Sequence, residues 1–157
     1  MWFLEHLRAP QPVLREARRV LRPGGTIAFT ETDYTAFRVW PRSDDWDELA
    51  AAQHAHFERH GSAEVGRCLG TALLDAGFEG VRSAPVGFHT FGDRGLAEHV
   101  DYIAQLLDPA VARLAAGGFD RTRRERGVAH LRALPTMPGG SMTQIVYRAH
   151  GVKPAAE

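Results

Sequence analysis

The chain has 157 residues, 44% of them hydrophobic and 24% charged, a balance that fits one globular domain, residues 1–157. Its 19 basic residues offset 19 acidic ones, which argues against the basic excess of an electrostatic nucleic-acid footprint. No apolar run approaches the ~20 residues of a membrane span, and the lone cysteine, Cys68, excludes an internal disulfide and a cysteine-based zinc cluster.

The opening MWFLEHLRAP is apolar but brief. It lacks a basic flank and a small-residue cleavage site, so no signal peptide is expected and a reducing cytoplasm is the expected compartment. Pro10 and Pro12 suit the first turn of a helix. Val13, Ala17, Val20 and Leu21 then share a face, with Leu14 beside them, and Pro23-Gly24-Gly25 ends the run. Thr26–Glu31 reads as a buried strand, and TDYTAFRVWPRSDD after it as a loop.

Ser43, Asp44 and Asp45 offer cap oxygens to a helix from about Trp46 to His60. A second helix covers Glu64 to Ala76 and stops at Gly77. Val81 to Phe91 reads as a strand, and Pro85 within it marks an edge or a bulge. Helices are expected at Leu96–Leu107, Pro109–Ala116 and Arg121–Leu134, the last two split by Gly117-Gly118. SMTQIVYRAHG is a final strand, and residues 153–157 are expected to form a tail.

The order helix, Gly pair, strand is the reverse of a phosphate cradle, which needs a strand, glycines and then a helix N-terminus. Gly24 and Gly25 are therefore read as a turn. No G-x-G-x-x-G or G-x-x-x-x-G-K motif occurs elsewhere. Glu31 and Asp33 sit at the carboxyl end of a strand, where ligands bind in open α/β sheets, so both are candidates to face a pocket, to accept a substrate hydroxyl or to act as a base.

FLEHLRAPQPVLREARRVLRPGGTIAFTETD carries His6, Leu7, Leu14, Glu16, Arg19, Val20, Leu21, Pro23, Gly24 and Gly25 in one order. This resembles the segment after the fourth strand of class I S-adenosylmethionine-dependent methyltransferases, with relatives of the ubiquinone/menaquinone-biosynthesis type. LGTALLDAGFEGVRSAP and MTQIVYRAHGVKP resemble the later helix and the last two strands of that family. The resemblance implies an α/β chain equivalent to the C-terminal half of a Rossmann-like fold. It would have a small mixed sheet of about three strands flanked by helices, the last strand in the middle. The family's cofactor-binding first half has no counterpart in this sequence.

The resemblance also implies S-adenosylmethionine as cofactor and a small-molecule substrate. It places Trp2, Phe3 and His6 beside the cofactor, with His6 and then Glu31 as candidate bases. Glu31, Asp33, Tyr34 and Trp40 are the candidate substrate contacts. The outer edge of Thr26–Glu31 lacks its usual neighbour strand in such a half, which predicts a homodimer through that edge, or poor solubility. A non-catalytic interaction or ligand-binding module is the alternative, and an unrelated α/β enzyme or metal-binding domain is a third.

Three features have plainer readings. His56 and His60 share a helix face, but Phe57 stands where a zinc protease needs Glu, so no metal is expected. Cys68 is expected to be buried and inert, and DRTRRERG to be a solvated helix face.

Overall fold

The structure, a computed structural model, describes residues 3–92, 94–115 and 120–155, the side chains of 112–115 aside. Helix α1 (Gln11–Val20) starts after Pro10 with Pro12 in its first turn. Its inward residue is Leu14, fully buried, while Val13 and Val20 are exposed. The inward face is thus Leu14, Ala17 and Leu21, spaced i, i+3, i+7, one position round from the stripe expected through Val13 and Val20.

Strand β1 spans Thr26–Trp40, nine residues beyond its expected end at Glu31. The segment expected to loop is rich in Thr, Tyr, Phe, Val and Trp, which suit a pleated surface. Phe37 and Val39 are buried and alternate with exposed Arg38 and Trp40, the two-residue period of a strand with one covered face.

Helices α2 (Asp44–His60) and α3 (Val65–Asp75) follow, then β2 (Glu79–Phe91), α4 (Arg94–Ala115), α5 (Arg121–Ala133) and β3 (Ser141–Val152). Ser43 caps α2 as expected, its hydroxyl accepting the Trp46 N–H at 3.3 Å. Helix α4 runs through Pro109 where two helices were expected. Leu107 and Val111, on either side of the proline, are buried in the same core, so burial keeps the helix continuous. The expected break at Gly117-Gly118 lies outside the described residues.

The sheet order is β1-β3-β2, so the last strand lies in the middle. β3 is antiparallel to both neighbours. Gly24 N–H donates to Lys153 O at 2.9 Å and Lys153 N–H to Gly25 O at 2.8 Å, while Gly92 N–H donates to Gly140 O at 3.1 Å at the other end. The small three-stranded sheet flanked by helices and the edge position of the Pro85 strand are borne out, but both strand pairs are antiparallel where a mixed sheet was expected. Lys153, expected to open the tail, is tied to the sheet by these bonds.

The chain divides into two compact units. One comprises residues 1–35, 57–87 and 145–157; its core joins Leu4, Leu14, Leu69, Leu73, Phe78 and Ala149. The other comprises 36–56 and 88–144; its core joins Phe37, Trp46, Leu49, Leu96, Leu131 and Met142. In this second unit the basic stretch expected to be solvated is only partly so: Arg124 is fully buried, and Arg123 and Arg126 bond to Asp45.

Candidate functional site

The candidate residues gather in the first unit, at the middle of β1. Glu31 is fully buried. Its Oε1 accepts the backbone N–H of Phe3 and of Leu4, each at 3.0 Å, and Oε2 lies 3.3 Å from the Phe3 nitrogen. These donors open a 3-10 turn, Leu4–His6, whose first N–H groups have no partner within the turn. The carboxyl expected to serve as a base is therefore the cap that fixes the preceding segment onto the strand. Trp2, expected beside the cofactor, lies outside the described residues.

The turn presents its side chains in two directions. Leu4 and Glu5 point inward and are buried, while Phe3 is 39% exposed and the His6 side chain 61% exposed. Glu5 was not among the expected site residues, yet it lies at the centre of the cluster. Its Oε1 accepts the Tyr34 hydroxyl at 3.1 Å and lies 3.4 Å from His6 Nε2. Burial, reinforced by the charge of nearby Glu31, pushes the Glu5 carboxyl above its ordinary range, against the opposing pull of Tyr34 and His6.

The backbone is held from behind. Ser62 N–H donates to Glu5 O at 3.0 Å. A Cβ on Gly61 would stand 1.8 Å from that same carbonyl oxygen, so only glycine admits the approach. Tyr34 stacks on Phe57, centroids 4.3 Å apart with planes at 23°, and the His6 ring lies 6.0 Å from the same phenyl. Tyr34 N–H donates to Ala63 O at 3.0 Å, so the 61–66 segment covers this part of the β1 edge.

Asp33 is also buried, 1% exposed, and its oxygens are occupied within the chain. Oδ2 accepts Arg67 Nη2 at 2.7 Å and Nε at 3.0 Å, and Oδ1 accepts the Thr35 backbone N–H at 3.0 Å. Arg67 Nη2 also reaches Thr35 Oγ1 at 2.5 Å. Gly66 lets α3 meet the β1 backbone: a Cβ there would fall 2.8 Å from Glu31 O and 2.9 Å from Thr32 O. Asp33 thus ties α3 to the strand. Cys68, expected to be buried, is exposed on α3, because its position faces away from the Leu69 and Leu73 stripe. Trp40, 58% exposed, belongs to the second unit.

The structure therefore brings together Phe3, His6, Glu31 and Tyr34, and adds Glu5 and Phe57. Its chemical content is an exposed imidazole backed by a buried carboxyl and a tyrosine hydroxyl, beside an exposed phenyl ring. Such a group can take a proton from a molecule bound next to it. Among the described residues no group of three or more His, Cys, Asp or Glu side chains is arranged to hold a metal ion, and no helix is long and apolar enough to cross a membrane.

Comparison with known proteins points at the same segment. Residues 1–29, His6 and Pro23-Gly24-Gly25 included, match the family described as methyltransferase domain. An uncharacterized 37.1 kDa protein in transposon TN4556 of Streptomyces fradiae is 29% identical over 150 residues, which are 93% of this chain and 41% of that protein. The chain thus spans less than half the length of this curated relative. A solved structure of phospholethanolamine N-methyltransferase 2 from Haemonchus contortus, in complex with phosphomonomethylethanolamine and S-adenosylhomocysteine, aligns with a TM-score of 0.45 at 11% identity. It covers 98% of this chain and 32% of that one.

Proposed function

We propose that the chain is the substrate-side part of an S-adenosylmethionine-dependent methyltransferase that acts on a small molecule in the cytoplasm. The observation that carries this reading is the Glu31 cap on Phe3 and Leu4. It fixes, within the family-matched segment, the stretch that the resemblance sets against the cofactor. The exposed Phe3 ring and the His6 imidazole fit the methionine side of S-adenosylmethionine, where an apolar wall keeps water from a sulfonium. The sequence holds no strand–glycine loop–helix unit for the nucleotide side, so those contacts would come from another polypeptide segment or a second copy.

When bound, the cofactor supplies an electrophilic methyl group. The chain's own residues do the rest. The Glu31 cap holds the wall in register, Phe3 excludes water, and His6 takes the proton of the acceptor, whose alignment with the methyl is the main source of acceleration. Tyr34 contributes through its hydroxyl to Glu5.

Calorimetric titration of S-adenosylmethionine into the chain tests the reading. Saturable heat that Phe3→Ala weakens is expected; no heat at millimolar cofactor would favour the non-catalytic module instead. The partner we propose is a second copy of the chain at the edge of β1 over Thr26–Glu31. A dimer by size-exclusion light scattering supports it, and a clean monomer removes it.

A further inference from the structure

We infer that Glu5 is the positioning residue of a His6–Glu5–Tyr34 proton relay, and that the acceptor is a molecule whose nucleophilic atom carries a proton to be removed, a hydroxyl, a phenol or an ammonium nitrogen. The acceptor class rests on the methyl-transfer reading above; the relay does not.

The geometry is asymmetric. Glu5 is 4% exposed, and one of its oxygens, Oε1, is shared by the Tyr34 hydroxyl at 3.1 Å and His6 Nε2 at 3.4 Å. The other, Oε2, is buried and has no hydrogen-bond partner among the described residues. An unpartnered buried carboxyl oxygen is costly whatever the group does, and a catalytic role is one of the few reasons for which a protein keeps one. Among the described residues, the titratable groups facing Glu5 are Tyr34 and Glu31 on β1 and His6 on its own turn. Glu31 is occupied by two backbone N–H groups, and the backbone of Glu5 is clamped by Ser62 and Gly61. The clamp leaves the carboxyl little freedom, while His6 stands in solvent reach.

This arrangement sets the Nε2 edge of the His6 ring beside Glu5. Nε2 lies 3.4 Å from Glu5 Oε1, an ion-pair distance and not a hydrogen bond; in the relay the ring turns its Nε2–H onto Oε1, which leaves the lone pair on Nδ1. The acceptor's proton passes to Nδ1, the bonding pair stays on the acceptor atom, and the resulting imidazolium is balanced by the Glu5 carboxylate. The proton then leaves to water from the exposed ring. An acceptor that is already an anion or a carbon nucleophile without an acidic proton has no use for this relay.

The test is a pH titration of the full chain carrying ring-labelled histidine, followed by NMR, with His6→Gln used only to identify the His6 signals. In the native protein the His6 ring signals are expected to show a second inflection as Glu5 ionises, above the ordinary carboxyl range. Glu5→Gln is expected to abolish that inflection and leave the other seven histidines unchanged. Tyr34→Phe removes a hydrogen bond that favours the charged carboxylate, so it is expected to move the inflection to higher pH. That variant keeps the test open should Glu5→Gln not fold. A His6 curve that neither variant alters would overturn the relay. Calorimetry with S-adenosylmethionine is read separately: an intact relay without cofactor heat removes the acceptor class and the methyl-transfer reading, but not the relay.

Discussion

Glu31, on the sheet, and Leu4, in the turn that precedes α1, are joined by a buried hydrogen bond of 3.0 Å from the Leu4 N–H to Glu31 Oε1. They are 27 residues apart in the chain, and with the Phe3 N–H the same carboxyl closes the end of the turn. Everything proposed for the site depends on this closure, since Phe3, Glu5 and His6 take their directions from it.

Glu31→Ala should therefore be costly. It leaves the N–H groups of Phe3 and Leu4 without their acceptor, and hydrogen bonds to a charged group contribute about 1.5–3 kcal/mol. We expect a loss of about 2–3 kcal/mol in urea unfolding, with Glu31→Gln losing less because one carbonyl oxygen can still accept one N–H. Unfolding curves that superimpose on the native one would mean that the turn is not held by this residue.

The Gly61 contact gives a sharper comparison. Alanine at 61 would drive a Cβ to 1.8 Å from Glu5 O, whereas alanine at Gly87 meets nothing within 4 Å. Overpacking of this kind costs about 1–3 kcal/mol, and the clash is with backbone, which cannot swing aside. Gly87→Ala should stay within about 0.5 kcal/mol of the native protein. Equal stability of the two variants in thermal or urea unfolding would contradict the geometry around Glu5.

In the second unit, Asp45 bonds to Arg126 Nε at 2.8 Å and Arg123 Nε at 3.0 Å. The Arg126 and Arg123 guanidiniums lower its carboxyl from 3.8 to about 2. The folded value lies below the unfolded one, so the contribution is present above pH 3.8 and is lost as pH falls towards 2. Asp45→Asn should flatten the acid limb of the stability curve over that window and change little at neutral pH beyond a constant offset. An unchanged acid limb in the variant would show that these pairs do not contribute. Salt should weaken the effect, since both arginines reach solvent.

Much of the fold was legible because its signals are local. Pro12 at a first turn, Ser43 at a cap and Pro85 on an edge strand each act within a few residues, and each stands where its chemistry placed it. The end of β1 was not, because Asp33 and Tyr34 read as a loop start until Arg67 and Glu5, from distant parts of the chain, satisfy them. The face of α1 was missed by one position for a similar reason: Val13, Leu14 and Val20 are equally apolar, and only packing against α3 and β3 selects Leu14.

The candidate site was legible in part, as a grouping of residues. His6, Phe3, Glu31 and Tyr34 do come together, but Glu31 is occupied as a cap and Asp33 as an anchor for Arg67. Glu5 was passed over although a carboxylate between Leu4 and His6 in an otherwise apolar run, WFLEHL, is itself a signal. A charge there needs a partner, and Tyr34 lies 29 residues away.

The central claim is that the Phe3–His6 turn lines a site for the methyl donor. The most direct measurement is the backbone amide NMR spectrum of the chain during titration with S-adenosylhomocysteine, which also reads weak binding. The account predicts saturable shifts at Phe3, Leu4, Glu5 and His6 that Phe3→Ala diminishes. Shifts confined to residues of the second unit, or none up to the solubility limit, would contradict it.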